Sequence, residues 1–305
     1  MTDSMRERMA TVVSDLIETD PRAALVLADI GAAQFREVLK RFPERAINLG
    51  IMEQTMVSVA AGYALEGFHP IVHSITPFVV ERPYEQIKLD FCYQGLGGTL
   101  ISIGASYDYG TDGMTHQGPG DVPILKTLPG MQVCVPGTAD EFEALFRQTH
   151  GGGAPTYLRT SVQQNGASRE VRFGKLHLER EGRAGLVVAV GPMLDRALAA
   201  AEAAVAASRT LDQTFANEGR APLRFGLGPH VGEVEFGNVG THDRLDFTAM
   251  GPAVNHASRL EALTKQVATP VLASAAFAAR VSRPMRPMGR FALRGVAGEV
   301  EVYAP

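Results

Sequence analysis

A regular alternation of two kinds of segment, from Ala23 to about Thr160, constrains the fold of this chain most strongly. The short apolar runs predict strands at Ala24–Ala28, Pro70–His73, Leu100–Ile103, Gln132–Val135 and Thr156–Leu158. The longer amphipathic or small-residue segments predict helices at Ala32–Arg41, Glu53–Leu65, Phe78–Tyr93, Gly120–Thr127 and Ala139–His150. Because strand–helix–strand units cross over with a right hand, they predict a parallel sheet covered by helices on both faces. We therefore expect residues 1–162 to form a doubly wound α/β domain.

The sequence after residue 162 has a different character and predicts an α+β pattern with antiparallel strands. The elements predicted there are a polar linker over 163–181, a buried strand over 185–191, an alanine-rich helix from Leu194 to about Thr210, two strands within 223–237, a helix opening at Pro252, and a hairpin over Phe291–Tyr303. Proline suits the first turn of a helix, because its missing N–H needs no partner there.

Composition and charge narrow the class of protein further. A length of 305 residues suggests two domains, and a 45% hydrophobic content excludes global disorder. The net charge of −4 gives no electrostatic footprint for nucleic acid or for an anionic membrane. The two cysteines, Cys92 and Cys134, cannot build a disulfide framework, and no apolar run approaches the length of a membrane span. With no apolar core of a signal peptide near Met1, the expected location is the cytoplasm.

One acidic residue, Glu53, has two possible roles. It lies where a short strand gives way to a helix, three residues after Gly50. It could be a capping carboxylate in the first turn of that helix, since acidic residues are common there. It could equally be a buried acid that bonds a ligand nitrogen and exchanges a proton with it.

Three strings, in this order, resemble the pyrimidine-binding domain of transketolases and of the related deoxyxylulose phosphate synthases. The strings are Arg45-Ala-Ile-Asn-Leu-Gly-Ile-Met-Glu-Gln, Ala60-Ala-Gly-Tyr-Ala and Gly110-Thr-Asp-Gly-Met-Thr-His-Gln-Gly. The likeness runs from about Leu16 to Arg159, and the strand and helix over 185–200 resemble the opening of a truncated transketolase C-terminal domain. The resemblance implies dependence on thiamine diphosphate.

On the cofactor side, the resemblance implies roles for three side chains. Glu53 corresponds to the glutamate that faces N1′ of the aminopyrimidine and promotes its imino tautomer. Phe78 corresponds to an aromatic residue against the pyrimidine ring, although it could equally be a core phenylalanine. Tyr84, six residues later, is a further candidate for the same wall.

On the substrate side, Asp112 and His116 match the acidic and imidazole groups that meet the sugar in this family. A His-Gln pair beside Gly118 could otherwise be a polar turn, but the whole Asp-Gly-x-Thr-His-Gln string is present. Arg159, after the last predicted strand, is a candidate for binding an anionic substrate. The alternative for Arg159 is an exposed arginine at a strand end.

The sequence lacks the Gly-Asp-Gly…Asn string with which transketolases hold magnesium and the cofactor's diphosphate. Nothing before Glu53 supplies the oxygen ligands that magnesium requires, so no metal site is assigned to this chain. The resemblance therefore implies a partner subunit, equivalent to a transketolase N-terminal domain, that brings the diphosphate and magnesium side. We expect a homo- or hetero-oligomer.

The tail resembles the C-terminal half of a class III adenylate/guanylate cyclase domain over about 204–305. The strings that carry this likeness begin at Leu223-Arg-Phe-Gly-Leu-Gly-Pro-His-Val-Gly-Glu and at Arg244-Leu-Asp-Phe-Thr-Ala-Met-Gly-Pro-Ala-Val-Asn. The resemblance predicts an incomplete α+β ferredoxin-like cyclase fragment. It implies that Asn255 and Arg259, four apart on one helix face, stabilise the transferring phosphate of ATP.

Two further residues complete the likeness. Asp246 matches the position that reads the purine, and Arg294 stands where a lysine usually binds the phosphates. Arg259 could otherwise be a surface arginine paired with Glu261 or Asp243. The strings that supply the two metal-binding aspartates of these cyclases do not occur in this chain, so cyclase activity and use of ATP are not expected.

Three hypotheses for function follow from the sequence. The first is the pyrimidine-side half of a transketolase-like transferase, and the second is a signalling module that acts on a complete cyclase domain. The third is a fusion of two truncated enzymes with no catalytic function. In each case we place the join inside the alanine-rich helix, at about Leu198–Ser208, where the two parent sequences would look alike.

Overall fold

A computed structural model describes residues 3–175, 177, 179, 188–220, 235–241, 244–250, 252–267, 269, 271–279, 284–293, 295–296 and 298–304. The chain divides into two compact units. The first comprises Met1–His177 with Ala189–Leu198, and the second comprises Leu178–Val188 with Ala199–Pro305.

The first unit is built on a six-stranded sheet in which every neighbouring pair is parallel. Its strands are β1 (Ala23–Leu27), β2 (Ala46–Asn48), β3 (His69–Ile75), β4 (Gly98–Ile103), β5 (Gln132–Cys134) and β6 (Pro155–Arg159). Their order is β2-β1-β3-β4-β6-β5. This arrangement confirms the predicted parallel α/β fold.

Helices cover both faces of this sheet. They are α1 (Met5–Thr19), α2 (Arg36–Arg41), α3 (Glu53–Leu65), α4 (Thr76–Val79), α5 (Tyr84–Gln86), α6 (Asp121–Leu125) and α7 (Ala139–Thr149). Alternate residues of one strand face opposite layers, so Leu25 and Leu27 join one apolar core while Val26 joins the other. Every residue of β1 is therefore apolar and buried, as a strand covered on both faces requires.

Helix α1 was absent from the sequence prediction, although its pattern is helical. Its buried residues Met5, Met9, Val12, Val13 and Ile17 recur at helical spacing and form one stripe. A capping box opens the helix: the Ser4 hydroxyl accepts from the Glu7 N–H at 3.2 Å, and the Glu7 carboxylate accepts from the Ser4 N–H at 2.9 Å.

The single helix predicted over Phe78–Tyr93 is wrong. The structure divides this stretch into α4, α5 and a π-helical segment, Ile87–Tyr93. Pro83 lies between the first two helices, where its ring and missing N–H interrupt the helical hydrogen bonds. Phe78 therefore lies in a short helix of its own, separate from the segment that contains Tyr84.

The second unit contains antiparallel strands and helices. Its described elements are the later part of α8 (Leu194–Asn217), β7 (Glu235–Thr241), β8 (Arg244–Met250), α9 (Pro252–Val267), β9 (Ala273–Ser274), α10 (Ala275–Ala278), β10 (Arg286–Ala292) and β11 (Glu299–Ala304). Strands β7 and β8 form a hairpin, and β10-β11-β9 form a three-stranded sheet. Leu260, Leu263, Leu272 and Val302 lie in the core of this unit.

Several predictions for the tail can be compared with these elements. The alanine-rich helix, the helix opening at Pro252 and the final hairpin are confirmed, and the alanine-rich helix extends further, to Asn217. The predicted strand over 185–191 and the first strand after Gly219 lie largely outside the described residues. No helix in the described part of the chain is long and apolar enough to cross a membrane.

Candidate active site

The carboxyl ends of the parallel strands meet at one edge of the sheet, and the predicted site residues follow them. Glu53 comes after β2, Phe78 after β3, His116 after β4, and Arg159 ends β6. Strand order reverses between β1 and β3, because β2 lies on one side of β1 and β4 lies beyond β3. Open α/β sheets bind ligands in the crevice at such a switch point.

Glu53 is the first residue of α3 and its side chain is 3% exposed. The residue before it, Met52, makes no side-chain cap, and the Glu53 carboxylate bonds Arg82 rather than a backbone N–H of its own helix. Of the two roles left open for Glu53, the structure thus favours the buried acid over the cap.

Arg82 holds the Glu53 carboxylate and also covers an aromatic ring. Its Nη1 donates to Glu53 Oε1 at 2.6 Å, and its guanidinium carbon lies 4.1 Å from the centroid of the Phe78 ring. Opposite charge offsets the desolvation of the buried carboxylate, and the flat cation stacks favourably on the ring. A planar N–H donor therefore sits between the Phe78 face and the Glu53 carboxylate.

The Phe78 ring also contacts His116. The two rings meet edge to face with centroids 5.2 Å apart, and Tyr109 approaches His116 at 6.2 Å. Thr115 Oγ1 lies 2.9 Å from His116 Nδ1, which fixes the ring. The structure thus brings Glu53, Phe78 and His116 together through Arg82 and Phe78.

Arg159 is not the exposed strand-end arginine that the sequence left open as an alternative. Its side chain is 13% exposed, and its Nε donates to Asp121 Oδ2 at 2.6 Å. Its Nη2 donates to Ser106 Oγ at 2.8 Å and to the Gly118 carbonyl at 3.4 Å. In this arrangement Arg159 anchors both ends of the loop that carries His116.

The other two residues predicted for the site, Tyr84 and Asp112, form their hydrogen bonds with other parts of the domain. Tyr84 packs against the core on the α3 side, and its hydroxyl lies 2.7 Å from Thr127 Oγ1. Asp112 is exposed, and its carbonyl accepts from Thr115 Oγ1 at 3.0 Å. Asp112 is thus tied to the same turn as His116.

Sequence reasoning missed Arg82 and Asp121. Arg82 follows Phe78 by four residues, a spacing that would place the two side chains together on the predicted helix, and this spacing was the available signal. Asp121 is fully buried, and it accepts from Tyr157 Oη at 2.7 Å as well as from Arg159. Burial and the neighbouring Asp121 carboxylate together raise the pKa of Tyr157 well above its usual value, so the hydroxyl stays protonated and donates a hydrogen bond to Asp121.

The residues present fit the pyrimidine half of thiamine diphosphate. A buried carboxylate acceptor and an aromatic face are the groups that an aminopyrimidine needs, and the planar N–H group of Arg82 held between them stands in for the ring. Beside them, the described residues form no group of metal-ligating side chains suited to magnesium. Among the described residues, the group of three metal-ligating side chains that approach one another is Asp20, His69 and His150, which lie at the other edge of the sheet.

A parallel sheet that places a buried acid, an aromatic wall and a histidine at its switch point defines an α/β ligand-binding domain. Residues 2–166, more than half of the chain, match the family model described as the transketolase pyrimidine binding domain. The chain belongs to this family.

Curated relatives extend the similarity. An uncharacterized 33.6 kDa protein in the fasciation locus of Rhodococcoides fascians is 44% identical over 62% of this chain and 61% of its own length. The 6-deoxy-6-sulfo-D-fructose transketolase subunit SqwH of Clostridium sp. (strain MSTE9) is 32% identical over 65% of this chain and 63% of its own length. A 1-deoxy-D-xylulose-5-phosphate synthase of Clostridium perfringens is 34% identical over 56% of this chain and 28% of its length. The chain thus spans about three fifths of the first two relatives.

Solved structures show the same fold. A split gene transketolase, described as an inactive beta4 tetramer, superposes with a TM-score of 0.56 and 26% identity, covering 72% of this chain and 70% of the other. A Campylobacter jejuni transketolase superposes with a TM-score of 0.50 at 21% identity, over 56% of this chain and 28% of its own. The latter shows the fold alone.

Proposed function

We propose that this chain is the pyrimidine-side subunit of a thiamine diphosphate-dependent, transketolase-like transferase. The observation that carries the proposal is the buried Glu53 carboxylate, which accepts a hydrogen bond from the planar Arg82 guanidinium stacked on Phe78. An aminopyrimidine presents the same flat shape and the same N–H chemistry to the same two side chains. When bound, the cofactor supplies a nucleophilic carbon that attacks the carbonyl group of a ketol donor.

Each side chain then has a defined task. Glu53 holds a proton on the ring nitrogen that faces it, and its burial keeps water from competing for that contact. Phe78 fixes the plane of the ring. Arg82 must move out of the position that the pyrimidine ring would occupy. From a position beside the ring, its charge can still balance that of Glu53.

His116 and Asp112 face the region that a substrate would enter. The contact between Thr115 and His116 Nδ1 orients the imidazole, so that Nε2 is the nitrogen available to a substrate hydroxyl. Arg159 serves this site indirectly, because it positions the loop that carries His116. We assign it a positioning role in place of direct contact with an anionic substrate.

A separate diphosphate-binding subunit, which would also hold magnesium, is part of the proposal. Exposed apolar side chains support it: Ile51 is 72% exposed and Met114 is 91% exposed, in the loops that follow β2 and β4. Large apolar side chains at the edge of a site suit a surface that a partner covers. The subunit named in the sulfosugar transketolase relative and the split gene transketolase are further support. The free thiols Cys92 and Cys134 suit a reducing, cytoplasmic setting.

The test mixes this chain with the diphosphate-binding subunit of a split transketolase, and measures ketol transfer to an aldehyde acceptor. We expect activity that requires both chains, thiamine diphosphate and magnesium. Glu53→Ala should reduce kcat by about 10²–10⁴-fold, the usual contribution of a positioned acid or base. Glu66→Gln, at the exposed C-terminal end of the same helix, is the matched control. Full activity of Glu53→Ala would remove the proposed role of Glu53.

The tail supports a second candidate, a signalling module related to class III cyclases. The observation that favours it is α9, which follows the β7–β8 hairpin and exposes both Asn255 and Arg259. Of the other residues, Asp246 lies on β8 and Arg294 lies outside the described residues. Glu261, the possible partner of Arg259, lies 3.6 Å from Lys265.

The boundary between the two units falls in α8, between Leu198 and Ala199, and this supports a join near that point. Adding the chain to a complete adenylate cyclase domain and measuring cyclic AMP formation from ATP tests the second candidate. An unchanged rate would remove it. If ketol transfer with the partner subunit were also absent, a catalytically inactive fusion would be the remaining explanation.

A further inference from the structure

Asp20, His69 and His150 lie together at the edge of the sheet where the strands begin, away from the candidate active site. Asp20 caps the C-terminus of α1, just before β1, and His150 caps the C-terminus of α7. His69 is the first residue of β3 and pairs in register with Ala23 of β1. Three elements distant in sequence therefore deliver these side chains to one place.

The distances suit a shared ligand. One donor atom from each of the three side chains lies within 4.8 Å of the other two. His69 Nδ1 is 4.0 Å from Asp20 Oδ2, which is too long for a hydrogen bond. The two imidazole rings lie almost perpendicular, with centroids 5.5 Å apart. Among the described residues, this is the one group of three such side chains that converge.

The nitrogen atoms of this cluster lack partners. His69 Nδ1 and both ring nitrogens of His150 are buried and form no hydrogen bond within the described part of the chain. Buried polar atoms are almost always paired, so each exception calls for an explanation. A bound ion would accept the lone pair of one nitrogen from each imidazole, together with a carboxylate oxygen of Asp20, while the other nitrogen of His150 keeps the ring proton.

Neighbouring groups orient the donors without using them. The Arg22 backbone N–H donates to Asp20 Oδ1 at 2.8 Å, which leaves Oδ2 facing His69. The His150 ring stacks on Phe146, with centroids 5.2 Å apart and planes 24° apart. Supporting contacts of this kind fix the orientation of ligating side chains in metal sites.

Gly151, the residue after His150, leaves room for the cluster, since a Cβ at this position would lie 3.1 Å from His69 Cε1.

We propose that Asp20, His69 and His150 bind a divalent transition metal, with zinc as the probe of choice. Two imidazoles and one carboxylate are common zinc ligands, and three of them leave a fourth position for water. In a tetrahedral site the ligand atoms lie about 3.3 Å apart, so the side chains must close by about 1 Å or slightly more. The metal would tie the ends of α1 and α7 to the start of β3.

The site is independent of the proposed transferase chemistry. His69 begins the seven-residue strand β3, and Phe78 lies in α4, which follows the other end of that strand, about 20 Å away along it. The metal would therefore stabilise the fold at the amino edge of the sheet, and loss of the metal would leave the Glu53 site assembled.

The test uses the full chain, freed of metal with a chelator, and measures zinc binding by competition with a chromogenic indicator. We expect one equivalent of zinc, and cobalt absorption bands typical of a tetrahedral site. His69→Asn, Asp20→Asn and His150→Phe should each weaken zinc binding by about tenfold or more. His116→Asn, a histidine substitution at the opposite edge of the sheet, is the control and should retain zinc binding whatever its effect on ketol transfer.

His150→Phe also separates metal binding from folding. Phenylalanine keeps the stack on Phe146 and removes two unpaired nitrogens, so the metal-free variant should fold at least as well as the parent by far-UV circular dichroism. Zinc should raise the unfolding midpoint of the parent and leave that of His150→Phe unchanged. No binding by the parent at about 100 µM zinc, or equal binding by parent, His69→Asn and His150→Phe, would overturn the proposal.

Discussion

Replacing Arg159 with methionine should destabilise the first unit strongly, because Asp121 would be left as a buried charge without its cation. Asp121 is fully buried, and Arg159 Nε lies 2.6 Å from its carboxylate. Methionine retains the aliphatic stem of arginine, so the change removes mainly the guanidinium and its bonds to Ser106 and Gly118. Removing one partner of a buried ion pair costs about 3–5 kcal/mol.

The assay is urea-induced unfolding followed by tyrosine fluorescence. The chain has no tryptophan, and of its 7 tyrosines only Tyr303 lies after residue 162, so the signal reports mainly on the first unit. We expect the free energy of unfolding to fall by about 3–5 kcal/mol for Arg159→Met. In the Arg159→Met background, Asp121→Asn should recover a large part of this loss, because it removes the unpaired charge and keeps an acceptor for Tyr157.

Arg147→Met is the matched control. Arg147 is 53% exposed and pairs with Glu143 one helical turn away, at 2.8 Å. An exposed pair of this kind contributes about 0.3–0.5 kcal/mol. A loss below about 1 kcal/mol for Arg159→Met, at an unchanged urea dependence, would refute the argument that the Arg159–Asp121 pair stabilises this edge of the sheet.

Three further predictions follow from local geometry. Gly118→Ala should cost about 1–3 kcal/mol in urea unfolding, because the new Cβ would lie 2.1 Å from Thr76 Cγ2, whereas Gly120→Ala meets no atom closer than 3.7 Å and should be tolerated. Ser4→Ala should cost about 1 kcal/mol in the same assay, through loss of the capping box of α1. Burial lowers the pKa of His73 to about 4, so we expect its nuclear magnetic resonance titration near that pH. The unfolded state then binds more protons between about pH 4 and 6.5, and the contribution of neutral His73 to stability is lost as the pH falls through this window.

Each of these predictions has a contrary outcome. Equal stabilities of Gly118→Ala and Gly120→Ala would show that the loop after β4 relaxes away from Thr76 without cost. An unchanged midpoint for Ser4→Ala would show that the start of α1 frays in the native state. A His73 resonance that titrates near pH 6.5 would show that water reaches this ring.

Arg82 occupies the position that the proposal gives to the pyrimidine ring. Its guanidinium already stacks on Phe78 and bonds Glu53, the two groups assigned to the pyrimidine. The planar cation satisfies the buried carboxylate in the place proposed for the ligand. A pyrimidine must displace Arg82 from these contacts, and this reorganisation reduces the net binding free energy.

Much of the fold was predictable from local pattern. Alternating apolar runs and helical segments are short-range features, and β1, β3, β4, β5 and β6 each overlap a predicted strand. The helix at Glu53 was likewise predicted from Glu53 to Leu65 and observed with those bounds. The stretch from Phe78 to Tyr93 was mispredicted because the prediction carried one helix through Pro83, where the structure begins a new helix, and because the spacing of its apolar residues does not distinguish the π-helical segment from an α-helix.

The sequence by itself determined the parallel α/β class and the family resemblance of the strings that contain Glu53 and His116, because short-range pattern along the chain records these features. It did not reveal the pairs that the tertiary structure created, Arg82 with Glu53 and Arg159 with Asp121. Those pairs depend on strand order and on burial, which are properties of the whole sheet. A parallel sheet aligns the ends of all its strands, so residues far apart in sequence meet at its two edges. The tertiary structure therefore decided which charges are buried, which of them are paired, and which side chains can share a ligand.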